Sequence, residues 1–249
     1  MAFSGFVKPF RPAFDAGLAA AGNGLLNGLL GYWPMDEASG DILDAHTGGR
    51  TVAAQTAIGS QTGKVYSTAR EFNNSESDWA LRTSDPMTVN AFTVGMWVYV
   101  YSLGVTPGIY RSFCNNAPVG NYSPGFQFFL NHEGQIIYSI AAGGLDWLFW
   151  HSAFMLTALN QWHSILFMHD PDTDLASVNF NGSLDTKAWT KGVGAGYKFT
   201  IGRQSAIGAS GYMDGRIGPL SIWNRALTPT EQAAWYNAGA GLAYAAFTT

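Results

Sequence analysis

Charge is scarce in this chain. Of its 249 residues only 12% are Asp, Glu, Lys or Arg, while 47% are hydrophobic, a low charge content for an independently soluble surface. The 13 Lys and Arg residues are scattered without a basic run and the net charge is −4. That excludes nucleic acid as a partner, because phosphate binding needs clustered cations. Cysteine is represented once, by Cys114, so no intramolecular disulfide can form and the fold does not depend on oxidation. No uninterrupted apolar run is long enough to cross a bilayer. Catalytic signatures are missing as well. There is no Gly-x-Ser-x-Gly elbow, Cys114 has no histidine near it in sequence, and His46, His132, His151, His163 and His169 show no metal-ligand spacing. The low charge has two readings. Either Ser, Thr, Asn and Gln clothe a core-rich β-protein, or much of the surface is covered by other chains; the second is the one carried forward.

What is abundant is strand and turn material: 30 glycines and 14% aromatic residues. Residues 92–101 (FTVGMWVYVY) alternate, with Phe92, Val94, Met96, Val98 and Val100 on one face and Trp97, Tyr99 and Tyr101 on the other, so both sides are expected to be covered. Similar runs at 126–130, 135–140, 162–168, 176–180 and 198–201 are separated by Asn, Gly, Asp and Pro. Such spacing predicts an antiparallel sandwich of roughly a dozen strands of about 5–6 residues each. Asn181-Gly182 supplies the positive φ angles of a two-residue hairpin. The Asp170, Asp172 and Asp174 carboxylates alternate like the start of a calcium loop, but lack its central Gly and terminal Glu, and read as a solvated hairpin. Near the end, Thr228-Pro229-Thr230-Glu231 reads as a capping box opening a helical turn.

The ends look different from the middle. Residues 1–30 place Phe3, Phe6, Phe10 and Phe14 around Pro9 and Pro12, then turn to Ala, Gly and Leu, with Leu18, Leu25 and Leu26 at roughly helical spacing. The prolines forbid a helix through the first part, and with Asp15 they interrupt the apolar core that a secretory signal needs, so none is expected. The segment is read as an apolar docking arm onto a neighbouring subunit, ahead of a domain at 31–239. Residues 240–249 (GLAYAAFTT and the alanine before it) form a small apolar tail, either a last strand or a second contact arm.

Residues 32–40 (YWPMDEASG) with Asp44, residues 69–73 (AREFN), 92–98 (FTVGMWV), 160–163 (NQWH), 179–182 (NFNG), 199–202 (FTIG) and 212–231 (YMDGRIGPLSIWNRALTPTE) follow one another in an order that resembles the laminin-G-like, concanavalin A-like jelly-roll domains. The resemblance implies an all-β, antiparallel jelly-roll sandwich with an extended N-terminal arm and a short C-terminal helical turn. It also implies a candidate calcium site at Asp36, Asp44 and Asp214, oxygen ligands suited to a hard cation. Gly218-Pro219 stands where the family commonly carries a further acidic residue. Hydrolases on related jelly rolls set paired carboxylates on one strand face; here Glu71, Glu76 and Asp78 come nearest, five residues apart across a turn, and no Glu-x-Asp-x-x-Glu run occurs, so no enzyme activity is expected. Lectin-like binding needs exposed rings, for which Trp79, Tyr122, Trp147, Trp150 and Trp189 are the candidates. Alternation along 146–150 sets Trp147 and Phe149 on one face and Leu148 and Trp150 on the other, the pattern of a buried strand.

Two functional expectations follow. One is a non-enzymatic structural protein of a phage particle, a capsid decoration or fibre component on the virion surface, docked by its arm to other virion proteins and to its own copies. The alternative is an extracellular carbohydrate-binding module or adhesin recognising glycans, with calcium as the one candidate cofactor and neither nucleic acid nor membrane as partner.

Overall fold

The structure, a computed structural model, describes residues 22–46, 49–85, 87, 90–104, 107–108, 110–117, 124–204 and 211–249. Among them the chain forms β1 (Leu29–Trp33), β2 (Ala53–Ala54), β3 (Gly59–Thr62), β4 (Thr68–Phe72), β5 (Ala80–Arg82), β6 (Phe92–Val100), β7 (Arg111–Asn115) and β8 (Gly125–Leu130). Then come β9 (Gln135–Gly143), β10 (Asp146–Met155), β11 (Trp162–Asp170), β12 (Leu175–Phe180), β13 (Ser183–Ala188), β14 (Phe199–Ile201), β15 (Gly215–Trp223) and helix α1 (Pro229–Tyr236). They build two antiparallel sheets. The first has eight strands in the order β13-β12-β11-β6-β15-β4-β3, with β1 also pairing β15; the second has seven, β10-β9-β8-β7-β14-β5-β2. The expected all-β sandwich with its C-terminal helix is what forms.

The alternation of β6 decides how the layers stack. Phe92, Val94, Met96, Val98 and Val100 enter the core between the sheets, where Phe128 of one sheet stacks on Phe167 of the other at 4.1 Å and 4°. Trp97 faces the opposite way, into a second core on the outside of the eight-stranded sheet, with Leu25, Leu29, Tyr32, Leu166, Met168, Trp223, Leu227, Trp235 and Phe247. Gly95 lets α1 approach, since a Cβ there would stand 2.7 Å from Leu166 and 3.2–3.3 Å from the rings of Trp223 and Trp235. The indole N–H of Trp235 donates to Ser164 Oγ at 3.2 Å, and that of Trp223 to the Leu25 carbonyl at 2.7 Å.

The capping box forms as read. Thr228 Oγ1 accepts from the Glu231 amide, Glu231 accepts from the Thr228 amide at 2.8 Å, and Pro229 opens the helix. Arg225 adds a bidentate pair to the Glu231 carboxylate, 2.7 Å on each arm, while donating to the carbonyls of Gly24 and Asn27 at 2.9 and 2.8 Å. Burial works to raise the Glu231 carboxyl, but the Arg225 guanidinium and the Thr228 amide and hydroxyl outweigh it and hold it below the ordinary glutamate range.

The expected boundaries at 30/31 and 239/240 cut through this second core. β1 begins at Leu29, and Leu25 is completely buried, with Leu26 packed alongside. Both were read as arm residues; in the structure their burial belongs to the domain itself. The tail is neither strand nor free arm. Phe247 is buried against Tyr32, Trp223 and Trp235, and Thr248 is tied to Asn23 and Leu26 by backbone and side-chain bonds. Phe3, Phe6, Phe10, Phe14 and Leu18 lie outside the described residues.

The Asn-Gly hairpin between β12 and β13 has φ of 51° at Asn181 and 87° at Gly182. A neutral histidine fixes it from behind. His163 Nε2–H donates to the Ala158 carbonyl at 2.8 Å, and Nδ1 accepts from Asn181 Nδ2 at 2.9 Å. Burial lowers the affinity of His163 and His169 for a proton, against the smaller pull of the Ala158 and Asn90 carbonyls.

Two outcomes are expected. Trp235→Ala removes the centre of the outer core and lowers unfolding free energy by about 3–5 kcal/mol, measurable by urea denaturation. Because both histidines bind protons more weakly folded than unfolded, stability is complete above the unfolded-state pKa of about 6.5 and falls as pH drops below it. Melting curves at steps between pH 7.5 and 5 should show this loss, well above the range in which Glu231 titrates; a flat profile would rule it out.

Candidate functional site

The outer face of the seven-stranded sheet is where the predicted rings divide. β10 is the margin of that sheet, and its alternation turns Leu148 and Trp150 inward; Trp150 lies 6.1 Å from Tyr138 against the main core. Trp150 is therefore a packing residue. Trp189 is one as well, packed on the same core with its indole N–H toward the Gly192 carbonyl at 3.4 Å. Trp147 faces outward in line with Phe149 and His151, at ring spacings of 6.1 and 5.4 Å. The expectation that β10 is buried on both sides is corrected here: a marginal strand covers only one face, and the outer rings remain half-buried or exposed.

Tyr110 and Phe129 complete the surface. Their rings are 4.7 Å apart, and Phe149 lies 5.8 Å from Phe129 and 6.2 Å from Tyr110. Phe129 is fully buried beneath; Tyr110 and Phe149 are half-buried above it. His151 Nδ1–H donates to Gln135 Oε1 at 2.8 Å, and Gln135 Nε2 donates to the Ser152 carbonyl at 3.0 Å, so the imidazole orientation is set by a neighbour on β9. At the hairpin tip Leu145 is 89% exposed, and Asp146 pairs with Lys191 at 3.4 Å. The result is an apolar aromatic shelf with a polar rim. The period-two spacing of 147, 149 and 151 was legible in sequence; the contributions of Tyr110 and Phe129 required the strand pairing.

Trp79 does not join this shelf. It precedes β5, near the opposite margin, roughly 24 Å away at five inter-strand spacings, and its ring is covered by the Arg203 guanidinium at 4.3 Å. Tyr122 lies outside the described residues.

Of the aspartates proposed for calcium, Asp44 is occupied with backbone amides and Asp214 with a serine hydroxyl. Asp44 Oδ1 accepts from the amides of Tyr32 and His46 at 3.0 and 2.9 Å, and Oδ2 from that of Arg50 at 2.9 Å. Asp214 accepts from the Ser102 hydroxyl. Asp36 contributes its carbonyl to Thr68 at 2.8 Å. Among the described residues no group of three His, Cys, Asp or Glu side chains is placed to hold a metal ion. Nearby loop carbonyls already have a cation: the buried Arg70 donates to Gly40 and Ile58 at 2.8 and 2.9 Å. The residues present do not fit a calcium site.

Nor do the carboxylates assemble for hydrolysis. Asp78 accepts from Thr56 Oγ1 at 2.7 Å and from the Asn73 amide at 2.9 Å, as a loop brace. Glu76 is exposed on a 3-10 turn, and Glu71 is hydrogen-bonded to Tyr101. Burial pushes the Cys114 thiol far up, out of nucleophilic range. A concavity of about 560 Å³ between α1 and the β12–β13 hairpin has its floor amides committed to one another: Asn179 donates to Gln232 at 2.9 Å, and Gln232 to the Leu227 carbonyl at 2.8 Å.

Comparison with known proteins agrees with this architecture. A family model described as the concanavalin A-like lectin/glucanases superfamily matches residues 73–231. The chain is similar to the binding domain of Paraclostridial Mosquitocidal Protein 1, with 16% identity and a TM-score of 0.67 over 83% of this chain and 51% of that one. It is also similar to domain 4 of a GH43 extracellular arabinanase from Geobacillus stearothermophilus, solved in complex with arabinotriose (17% identity, TM-score 0.61, 86% of this chain and 98% of that one). A third likeness is the binding domain of botulinum neurotoxin serotype D (13% identity, TM-score 0.63, 85% and 51%). The chain thus spans about half the length of the two toxin binding domains. No curated protein sequence matches it. With the family model covering more than half of its length, and two antiparallel sheets closed by a capped helix, the chain belongs to the concanavalin A-like lectin/glucanase superfamily.

Proposed function

We propose that the domain is a non-enzymatic glycan-recognition module whose contact surface is the aromatic shelf of β10. One observation carries this reading: Trp147, Phe149 and His151 present their rings in a row on the open face of a marginal strand. Sugar rings offer apolar C–H faces that stack on such rings, while hydroxyls reach polar groups at the rim. His151, oriented by Gln135, and the Asp146–Lys191 pair supply that rim. The shelf is prearranged, because Phe149 rests on the buried Phe129, so little side-chain freedom is lost on binding. The arabinotriose complex of the structurally similar arabinanase domain supports a saccharide as ligand, and the absence of facing carboxylates among the described residues supports binding without hydrolysis.

A second reading is compatible with the first. The domain is a surface component of a phage particle, a capsid decoration or fibre protein, docked to other virion proteins and to its own copies through residues 1–21. The low charge content favours it, and Asn23, near the start of the described residues, is clamped to Thr248 and Ala246. An extracellular adhesin is the alternative setting.

On a glycan array the protein should bind saccharides equally with calcium and with chelator, and Trp147→Ala/Phe149→Ala should lose about tenfold or more in affinity with an unchanged melting curve. Binding to no glycan under either condition would end the proposal. For the assembly reading, removing residues 1–21 should leave melting unchanged and abolish incorporation into particles; undiminished assembly would refute it.

A further inference from the structure

The part of the eight-stranded sheet that α1 leaves bare carries four side chains in one line. Register sets Glu71 of β4 opposite Arg216 of β15, Arg216 opposite Tyr99 of β6, and Tyr99 opposite Trp162 of β11. Directly opposed residues share a face. Their neighbours Phe72, Ile217, Val98 and Val100 point into the main core, so all four project outward. With strands about 4.8 Å apart, the line runs roughly 14 Å across the sheet. Each of the four is partly exposed. Among the described residues this separates them from Trp97, which lies in the same face but is covered by the ring of Tyr236 at 6.1 Å and 12°.

The side chains are held in place by one another. The Trp162 ring lies over Gly218, where a Cβ would stand 3.3 Å from it, and meets Tyr99 edge-on at 5.5 Å. The Arg216 guanidinium stacks 4.5 Å above Tyr99, donates from Nε to the Tyr101 hydroxyl at 2.6 Å and from Nη1 to the Thr62 carbonyl at 3.0 Å. Tyr101 in turn donates to Glu71 Oε1 at 2.5 Å. Burial and the Glu71 carboxylate raise the Tyr101 phenol, with Arg216 opposing, so the hydroxyl stays protonated and remains a donor. Glu71 Oε2 has only a long contact with Gln61, 3.4 Å. Among the described residues this leaves Arg216 Nη2 as a donor and Glu71 Oε2 as an acceptor, on two groups linked through the Tyr101 hydroxyl next to an aromatic ring.

We infer that this line is a second saccharide-contact surface, taking an uncharged oligosaccharide with adjacent hydroxyls. It rests on the glycan reading above, but on different residues and the opposite sheet. Trp162 supplies the stacking face. Arg216 and Glu71 form charge-assisted hydrogen bonds to neighbouring hydroxyls, one donating and one accepting. The Glu71 carboxylate in the line repels a ligand carboxylate, so sialylated or uronic sugars are selected against. The two faces make the domain bivalent.

The test uses the full-length protein with its tryptophan indoles labelled with nitrogen-15, titrated with arabinotriose, xylotriose, lactose and sialyllactose. The Trp147 and Trp162 indole signals are assigned from Trp147→Phe and Trp162→Phe. A neutral sugar is expected to shift both, and Glu71→Gln/Arg216→Gln is expected to weaken the Trp162-side event about tenfold while leaving the Trp147 titration intact. Sialyllactose should shift the Trp162 signal less than lactose does. If neutral sugars move Trp147 but never Trp162, the second surface is wrong and the first stands. If they move Trp162 alone, the second surface stands without the shelf; if neither moves, both fall. A Trp162 shift of undiminished affinity in Glu71→Gln/Arg216→Gln would also overturn the assignment.

Discussion

Arg225 does for this fold what no single strand pairing does. Its guanidinium grips the Glu231 carboxylate with both arms while donating to two carbonyls of the N-terminal segment. Glu231 meanwhile closes the capping box of α1. One planar cation thus fixes the entry of the chain, the start of its helix and the exit of β15 relative to one another. Bidentate geometry matters here: a lysine has one point of charge and could not satisfy a carboxylate and two carbonyls in set directions. The pair is only partly exposed, so its geometry rather than its bare Coulomb energy is what the fold uses.

That clamp determines how much of the eight-stranded sheet is covered. A sheet of this size has two faces, and both need apolar partners or a use. The inner face meets the seven-stranded sheet. On the outer face, α1 and the two chain ends reach as far as Trp97 and Tyr236. Beyond that point the outward positions change in character, from Trp223, Leu166 and Met168 to Trp162, Tyr99, Arg216 and Glu71. The inward neighbours of this stretch still include Phe72, Val98, Val100 and Ile217 of the main core. The same division holds on the other sheet, where the inward half of β10 is core and the outward half is shelf.

Local signals were legible where local chemistry decides the structure. The capping box, the Asn181-Gly182 turn and the two faces of β6 all depend on residues within a few positions of one another, and each formed as read, except that the outer face of β6, expected to be covered, is covered at Trp97 and partly exposed at Tyr99. The Asp170 loop did too, with Asp170 accepting from Asp172 and Thr173. What was not legible depends on pairing between distant strands. The shift of register between Ile217 and Leu220 in β15 sets which residues stand opposite Tyr99; Gly218-Pro219 marks its place, since proline cannot donate to the ladder, but not the pairing that results. Alternation separates Trp147 from Trp150 in sequence, and strand pairing decides which of the two faces the core. Leu25 and Leu26 resembled an arm because their partners, Trp223 and Phe247, lie some two hundred positions away.

Arg70 shows how this chain matches the carbonyls of a buried loop without a metal ion. Carbonyls gathered at a loop must be matched by a cation or by N–H donors, since leaving them unpaired in a buried place costs about 1–3 kcal/mol each. In this chain a side chain supplies the cation: Arg70 is fully buried, burial lowers its proton affinity, and the Glu37, Asp41 and Asp78 charges act to restore it. A guanidinium fixed by covalent attachment to β4 does not depend on ion concentration, so the loop keeps its shape wherever the protein is placed. Elsewhere a glycine serves an aromatic ring in a similar way: with no side chain at Gly218, the backbone of β15 is bare enough for the Trp162 ring to lie on it.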